Sequence, residues 1–478
     1  IAIVDEQIYE HPPSIVIGTV DKFAMMAWKP DIKVLFGSGA SRPDLIIQDE
    51  LHLISDALGT VTSLYEGAID YLTQTEKGRV KIVGSTATIR RAEEHVRKLF
   101  NRKLAQFPPS GISASDSFFY QVDDTQDRLY VGLHCQGRSP KHSLSRLSGN
   151  ISQANMYLDD DCKDPFYTLV MYFNSLRELG GALVLLEDDV PRYLSSLPLP
   201  PEQAIRQLIQ KQELTSQLNQ QQLGEILEQL DIGKDNDPDN PAVDVVLSTN
   251  MISVGVDVGR LNTMIVNGQP KNTAEYIQAS SRVGREPDSA GIVFAMYNWT
   301  RPRDRSHYER FKAFHLAFYR HVESTSVTPY ASRARDRALH AVLFAMARQS
   351  IAELRQDISA GNILKRGVRK QVEELAEYII ERAGIVDSAE QESTREHLAE
   401  LIEYWVEFAE GVRDGGEDNV YWELPWKRRK DLRKKREDLD KYQLLKKPDE
   451  YADDGRIKTP TSMRDVEPPT NVELVYKK

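Results

Sequence analysis

Short apolar runs of strand length alternate with stretches of helical period through residue 300, and beyond Arg301 only the helical period persists. The β-branched start of "SIVIGTVDKF" (14–23) predicts a short strand that breaks at Gly18-Thr19, with a helical segment after it. Residues 44–49, within "DLIIQDELHLI", form a continuous apolar run, the pattern of a parallel strand covered on both faces. A helix follows through "SLYEGAIDYLTQ", then a strand in "RVKIVGSTATI", then an amphipathic helix in "RRAEEHVRKLF". Strand, helix, strand, helix predicts an α/β layer structure with a parallel sheet.

Residues 106–165 change character: Pro and Gly breaks with alternating aromatics predict a connector with some strand. A second α/β unit follows. "YTLVMYFNSL", "AVDVVLSTN", "LNTMIVNG" and "GIVFAMYN" are strand-like, "RELGGALVLLEDDV" and "NTAEYIQASSR" helical, and Asn272 or Thr273 fits the cap of the latter helix. A Gln-rich amphipathic stretch spans 202–230. Ser306 with Glu309 resembles a capping box opening a helix through "YERFKAFHLAFYRHVE". Helices run on through "DRALHAVLFAMARQSIAELRQ", "VEELAEYIIERA" and "REHLAELIEYWVEFAEGV", and the tail from Asp414 is polar and charged. The expected organisation is 1–105 first α/β domain, 106–165 connector, 166–300 second α/β domain, 301–413 helical accessory domain and 414–478 charged tail.

Composition narrows the class. The 478 residues carry 61 basic and 72 acidic side chains, a net charge of -11, which argues against a strongly basic nucleic-acid binder but leaves room for a local basic groove. No apolar run reaches the roughly 18 residues of a membrane span, so no membrane partner is expected. Cys135 and Cys162 have no metal-ligand spacing and fit a reducing, cytoplasmic setting. The chain opens on Ile, within what reads as mid-domain sequence.

The chemistry gathers at strand ends. In open α/β sheets ligands sit beyond the carboxyl ends of the strands. There Asp49 can hold a Mg²⁺ through its water shell, and Glu50 beside it can polarise an attacking water. Alone, the pair reads as a solvated strand end. Three further strings change that: "GSTAT" (84–88), "STNMISVGVDV" (248–258) and "QASSRVGRE" (278–286), the last with two arginines suited to a γ-phosphate.

In this order the strings resemble the motifs of superfamily 2 helicases, which couple two RecA-like domains to ATP hydrolysis. "DELH" looks like their DExH box, "STAT" their motif III, "MYFNS" motif IV, "STNMISVGVDV" motif V, and "GTVDKF" motif Ib. "ELTS" (213–216) is similar to the strand between motifs IV and V. "QASSRVGR" resembles motif VI, with Ser281 at its first Gly position and both arginines kept. "FPPSGISASDSFF", "YFNSLRELGG", "RPRDRSHYERF", "HVESTSVTP" and "PTSMRDVEP" further resemble the helicase subunit of DISARM, a bacterial anti-phage defence system. The resemblance implies two RecA-like parallel-sheet domains, the first incomplete, followed by an α-helical C-terminal region. It implies ATP and Mg²⁺ as cofactors, nucleic acid (DNA) as partner, and other subunits of a defence complex.

Carried over by position, the resemblance makes Asp49 the Mg²⁺ holder and Glu50 the general base. Gln278, Arg282 and Arg285 would meet the γ-phosphate, with Arg285 the arginine finger. Gly255 and Asp257 would lie near the ribose. His52, Ser85, Thr86 and Thr88 would couple the nucleotide to the strand-binding groove. Thr19, Ser175, Thr215 and Thr249 would contact nucleic-acid phosphates, which position a strand without reading its sequence.

No G-x-x-x-x-G-K-[ST] string occurs; "DIGKDND" has a Gly-Lys pair in the wrong setting. In the resembled family that loop precedes the DExH box, so it is expected before Ile1. The chain then reads as N-terminally truncated and inactive alone. The alternative is a non-catalytic nucleic-acid-binding scaffold. Three weaker features remain open. The basic run Lys427–Glu437 follows Trp422 and Trp426, which suit base stacking, but it also fits a solvated charged helix. His307 and His315 lack companions for a metal site, and the aromatics around them fit core packing.

Overall fold

A computed structural model describes residues 3–37, 42–76, 78–86, 89–109, 111–112, 116–121, 128–200, 202–233, 241–249, 258–286, 290–416, 419–423, 441–448 and 456–464. The chain divides into two compact units, one of residues 1–106 with 324–478 and one of residues 107–323.

In the first unit, β1 (Leu45–Gln48) pairs in parallel with β2 (Lys81–Gly84), Leu45 opposite Lys81 and Gln48 opposite Gly84. The crossover is α1 (Asp56–Thr73), and α2 (Ala92–Phe100) follows β2. The strand predicted over 14–19 does not form: Ile15 and Ile17 are exposed, and Val20–Ala27 is a 3-10 helix. The expectation that β1 is covered on both faces also fails. Leu45 and Ile47 are 47% and 67% exposed, while Ile46 packs inward on the helices. Among the described residues this sheet has two strands, and the helical layer seals the face that carries Ile46 and Ile82.

The helices after residue 323 differ from the expected separate accessory domain. The helix His340–Ser350 is apolar on every side and buried over Ala341–Ala347. Such a helix must be enclosed, and it shares one core with Ala24–Phe36, with α1, and with the helices Arg366–Val386 and Gln391–Asp414. The expected charged tail contributes too: Val420, Trp422, Leu444, Leu445 and Met463 lie in that core. Short apolar anchors inside a polar composition hid this from the sequence.

The second unit holds a six-stranded, fully parallel sheet. Its strands are β3 (Leu129–His134), β4 (Leu169–Phe173), β5 (Lys211–Leu214), β6 (Val245–Ser248), β7 (Thr263–Asn267) and β8 (Ile292–Tyr297), in the order β3-β8-β7-β4-β6-β5. β3 falls inside the expected connector. β4 shows why the central strands read as unbroken apolar runs. Val170 and Tyr172 point into one core, and Leu169, Met171 and Phe173 into the other.

The helices of this unit include α3 (Pro140–Ala154), α4 (Leu176–Val184), α5 (Gln220–Leu230), α6 (Thr273–Ser280), α7 (Pro302–Glu309) and α8 (Phe311–Leu316). Helix α7 opens at Pro302, so Ser306 is interior and not the expected cap; proline at the first turn loses no hydrogen bond there. The Gln-rich stretch resolves into β5 and then α5, whose capping box is formed by Asn219 and Gln222. Among the described residues no helix is long and apolar enough to cross a membrane.

Candidate active site

The chain leaves β1 through a tight bend. Glu50 sits at φ 49°, in the left-handed region that a non-glycine residue enters at a cost of about 1–2 kcal/mol. Two backbone bonds carry the β1–β2 ladder past the strand ends: Ser85 N–H donates to Gln48 O at 3.0 Å, and Leu51 N–H to Ser85 O at 2.9 Å. The bend therefore lies against the "GST" end of β2. Gly84 makes room for it, since a Cβ there would meet Leu51 Cδ2 at 2.9 Å.

Asp49 is exposed, and its Oδ1 accepts from the Ser85 hydroxyl and from Glu50 N–H, the latter at 2.9 Å. The Ser85 hydroxyl first, then the Glu50 N–H, hold the Asp49 carboxyl below its ordinary range. Glu50 is half-buried, and its Oε2 lies 3.3 Å from His52 Nδ1. His52 is 8% exposed, and the same Nδ1 lies 3.1 Å from Thr86 Oγ1. The residues expected to couple, His52, Ser85 and Thr86, thus do touch the acid pair or one another. Thr88 falls outside the described residues.

In the second unit Gln278 lies near the end of α6 and is half-buried, as is Arg282 in the turn beyond; Arg285 is exposed. That turn is rigidly held. Gly284 has φ 65° and abuts Gly291, and its N–H donates to Leu261 O at 2.8 Å. Arg128, just before β3, donates from Nε to Val283 O at 2.8 Å and from Nη2 to Gly284 O at 3.3 Å. At the other end of α6 the expected cap is replaced. The Asn272 side chain makes no cap bond, and Glu323 accepts from Thr273 N–H at 2.9 Å and from its hydroxyl at 2.9 Å. Arg128 and Glu323 were missed because no local pattern marks a partner 155 or 50 residues away.

Ser175 caps α4, accepting from Glu178 N–H at 3.3 Å, and is exposed at the carboxyl end of β4. It borders a cavity of 510 Å³ lined also by Lys141, Arg177, Asn267, Asn298 and Arg301, the last ion-paired with Glu178. Buried Asp304 fixes the cavity's loops by accepting from Gln269 N–H at 3.2 Å and Asn298 N–H at 2.9 Å. Asn174 Nδ2 donates to Asn267 O and Gly268 O, both at 3.2 Å. No sequence signal marked this cavity beyond Ser175 itself.

Other expected contacts place differently. Thr19 is exposed. Thr215 and Thr249 are only 5% and 7% exposed, and the Thr215 hydroxyl accepts from Gln217 N–H at 3.4 Å. Gly255, Asp257, Trp426 and the basic run Lys427–Glu437 fall outside the described residues. Trp422 is fully buried and donates from Nε1 to Leu354 O at 2.7 Å, which removes it from base stacking. His307 and His315 lie in an aromatic cluster with Phe311, Phe314 and Phe318, and among the described residues no group of His, Cys, Asp and Glu is arranged to hold a metal ion by itself. A Mg²⁺ at Asp49 would accordingly be held largely by water and substrate oxygens, the usual habit of that ion. The ionised carboxylate with Oδ1 pinned by two donors suits it.

Comparison with known proteins bears on the fold that carries these residues. Residues 199–286 match the helicase conserved C-terminal domain family. Two solved structures share the fold at a TM-score of 0.50 each. One is the DUF1998 helicase MrfA bound to DNA (16% identity, 71% of this chain and 42% of that one). The other is the Mycobacterium smegmatis helicase Lhr bound to ssDNA and AMP-PNP (14% identity, 81% of this chain and 42% of that one). Residues 199–286 thus carry a helicase conserved C-terminal domain, and the parallel sheets are RecA-like. The chain is similar to the DISARM protein DrmA of Bacillus paralicheniformis, at 40% identity over 466 residues and 88% of this chain. The chain spans 40% of the length of that relative.

Proposed function

We propose that this chain is the motor portion of an ATP-driven helicase or translocase that acts on DNA in bacterial phage defence, in the cytoplasm and alongside other subunits of a defence complex. One observation carries the reading. The Asp49-Glu50 pair at the end of β1 is tied through Ser85, His52 and Thr86 to the end of the next strand, in a chain similar to DrmA over 88% of its length.

In this reading water attacks the γ-phosphorus of ATP and the bond to the bridging oxygen of ADP breaks. Glu50 takes the proton of the attacking water, and Asp49 would hold a Mg²⁺, which when bound would supply neutralisation of the phosphate charge. Arg282 and Arg285 offset the charge that develops on the transferred group, and Gln278 helps to orient it. The contact from Glu50 to His52 and on to Thr86 is the physical route by which the nucleotide's state reaches the strand-binding groove. In the first unit Thr19 is suited to meet a strand phosphate, and in the second unit Ser175, Lys141 and Arg177 around the cavity are suited to do so. Alone, the chain hydrolyses ATP poorly, because its 478 residues contain no G-x-x-x-x-G-K-[ST] loop to cradle the phosphates.

Strand binding is the test. The chain should bind labelled single-stranded DNA with an affinity that falls as salt rises, and Lys141→Ala with Arg177→Ala should make that salt dependence shallower by about 1–2 in log–log slope. Affinity that ignores salt, or a slope unmoved by the double substitution, contradicts this placement of the strand.

A further inference from the structure

The string "PTSMRDVEP" has no role in the reading above, yet its first half is among the most deeply seated parts of the first unit. Residues 456–464 run back to the 3-10 helix Val20–Ala27, which directly follows Thr19. Thr459 and Met463 are fully buried, and the Thr62 hydroxyl donates to Met463 Sδ at 3.4 Å. Trp28 Nε1 donates to Pro460 O at 3.0 Å, and His340 Nε2 lies 2.8 Å from Lys458 O. At the segment's end three groups converge on one carboxylate, Asp21. Ser462 Oγ donates to its Oδ1 at 2.5 Å, Arg464 N–H reaches the same oxygen at 3.3 Å, and Arg464 Nε lies 3.2 Å from Oδ2.

The other end of the 3-10 helix is held from inside. Buried Arg348 donates to Ala27 O at 2.8 Å and Trp28 O at 2.7 Å, and Gln349 Nε2 to Met26 O at 2.7 Å and Lys29 O at 3.0 Å. A 3-10 helix of eight residues is long for its kind and has weak internal bonds. Outside partners therefore decide where it sits and where Thr19, at its open end, points.

We propose that residues 456–464 form a strap that sets both the position and the charge of the Thr19 turn, with Asp21, Ser462 and Arg464 as positioning residues for the strand contact. The inference rests on the strand-binding reading. Asp21 stands two residues from Thr19, and a bare carboxylate there repels a phosphate. Arg464 cancels that charge, and Ser462 fixes the carboxylate's direction. Arg464 is 70% exposed on its side chain, so its ion pair adds little to stability and its effect is separable from folding.

The test uses the full chain and labelled single-stranded DNA, read by fluorescence anisotropy beside thermal unfolding. Arg464→Ala should weaken binding about three- to tenfold with an unchanged unfolding midpoint. Adding Asp21→Asn, which removes the bare charge and still accepts from Ser462, should restore most of the loss. Binding by Arg464→Ala equal to wild type, or a double variant no tighter than the single, overturns the strap's role. Wild-type chain that binds no strand overturns the strand-binding reading beneath it, a different and recognisable outcome.

Discussion

Glu66, in the middle of α1, offers a sharp test of how the first unit is held. It is 7% exposed, and its surroundings include Arg382, Asp70 and Arg102. Asp70 takes the guanidinium bonds, from Arg79 Nε at 3.0 Å and Arg102 Nη2 at 2.5 Å, and also accepts from Tyr378 O–H at 3.3 Å. Glu66 gains less than it loses: burial pushes its carboxyl up to about 7 from 4.5, with Arg382 opposing. Between these values the folded chain keeps a proton that the unfolded chain has released, so stability falls as pH rises. The contribution is fully present below pH 4.5 and gone above about 7. At about 1.4 kcal/mol for each tenfold change in proton affinity, the loss is about 3 kcal/mol. Glu66→Gln keeps the shape and removes the ionisation. Urea unfolding followed by tryptophan fluorescence at pH 4.5 and pH 8 should show the variant gaining about 3 kcal/mol on wild type over that interval. A difference that stays constant across the interval refutes the reasoning.

Two further outcomes follow from the turn that carries Arg282 and Arg285. Arg128→Ala strips charged donors from the carbonyls of Val283 and Gly284, and should cost about 2 kcal/mol in thermal unfolding. Gly284→Ala forces a Cβ to within 2.4 Å of Gly291 N at φ 65°, and should destabilise the chain by at least about 2 kcal/mol, where Gly180→Ala, open on all sides, should not.

What the sequence made legible is what depends on local pattern. β4, β6, β7 and β8 are continuous apolar runs because each feeds a core on both faces, and the acid pair shows itself as the polar end of such a run. Over-reading began where the pattern has two physical outcomes. Ile15 and Ile17 are β-branched yet exposed, and Leu45 and Ile47 belong to a strand with one face open. The rest depends on distant contact. Arg348 meets the backbone of Ala27 across 321 positions, Trp422 is seated beside Phe344 and Trp405, and Glu323 caps a helix that begins 50 residues earlier. None of these leaves a period or a motif. The division of the helical region between the two units was invisible for the same reason, as was the strand β3 inside the expected connector. In the candidate site, Asp49, Glu50, His52, Ser85 and Thr86 were legible by resemblance and lie together, whereas Thr215 and Thr249 matched by position and are buried.

The central claim is that Glu50 is the base of an ATP-hydrolysing motor. It is tested most directly by strand-stimulated ATP hydrolysis in the natural polypeptide that carries this chain, comparing wild type with Glu50→Gln. Hydrolysis by wild type that rises with single-stranded DNA, and a fall of at least about a hundredfold in Glu50→Gln with nucleotide affinity retained, is the predicted result. Equal turnover in the two proteins contradicts it.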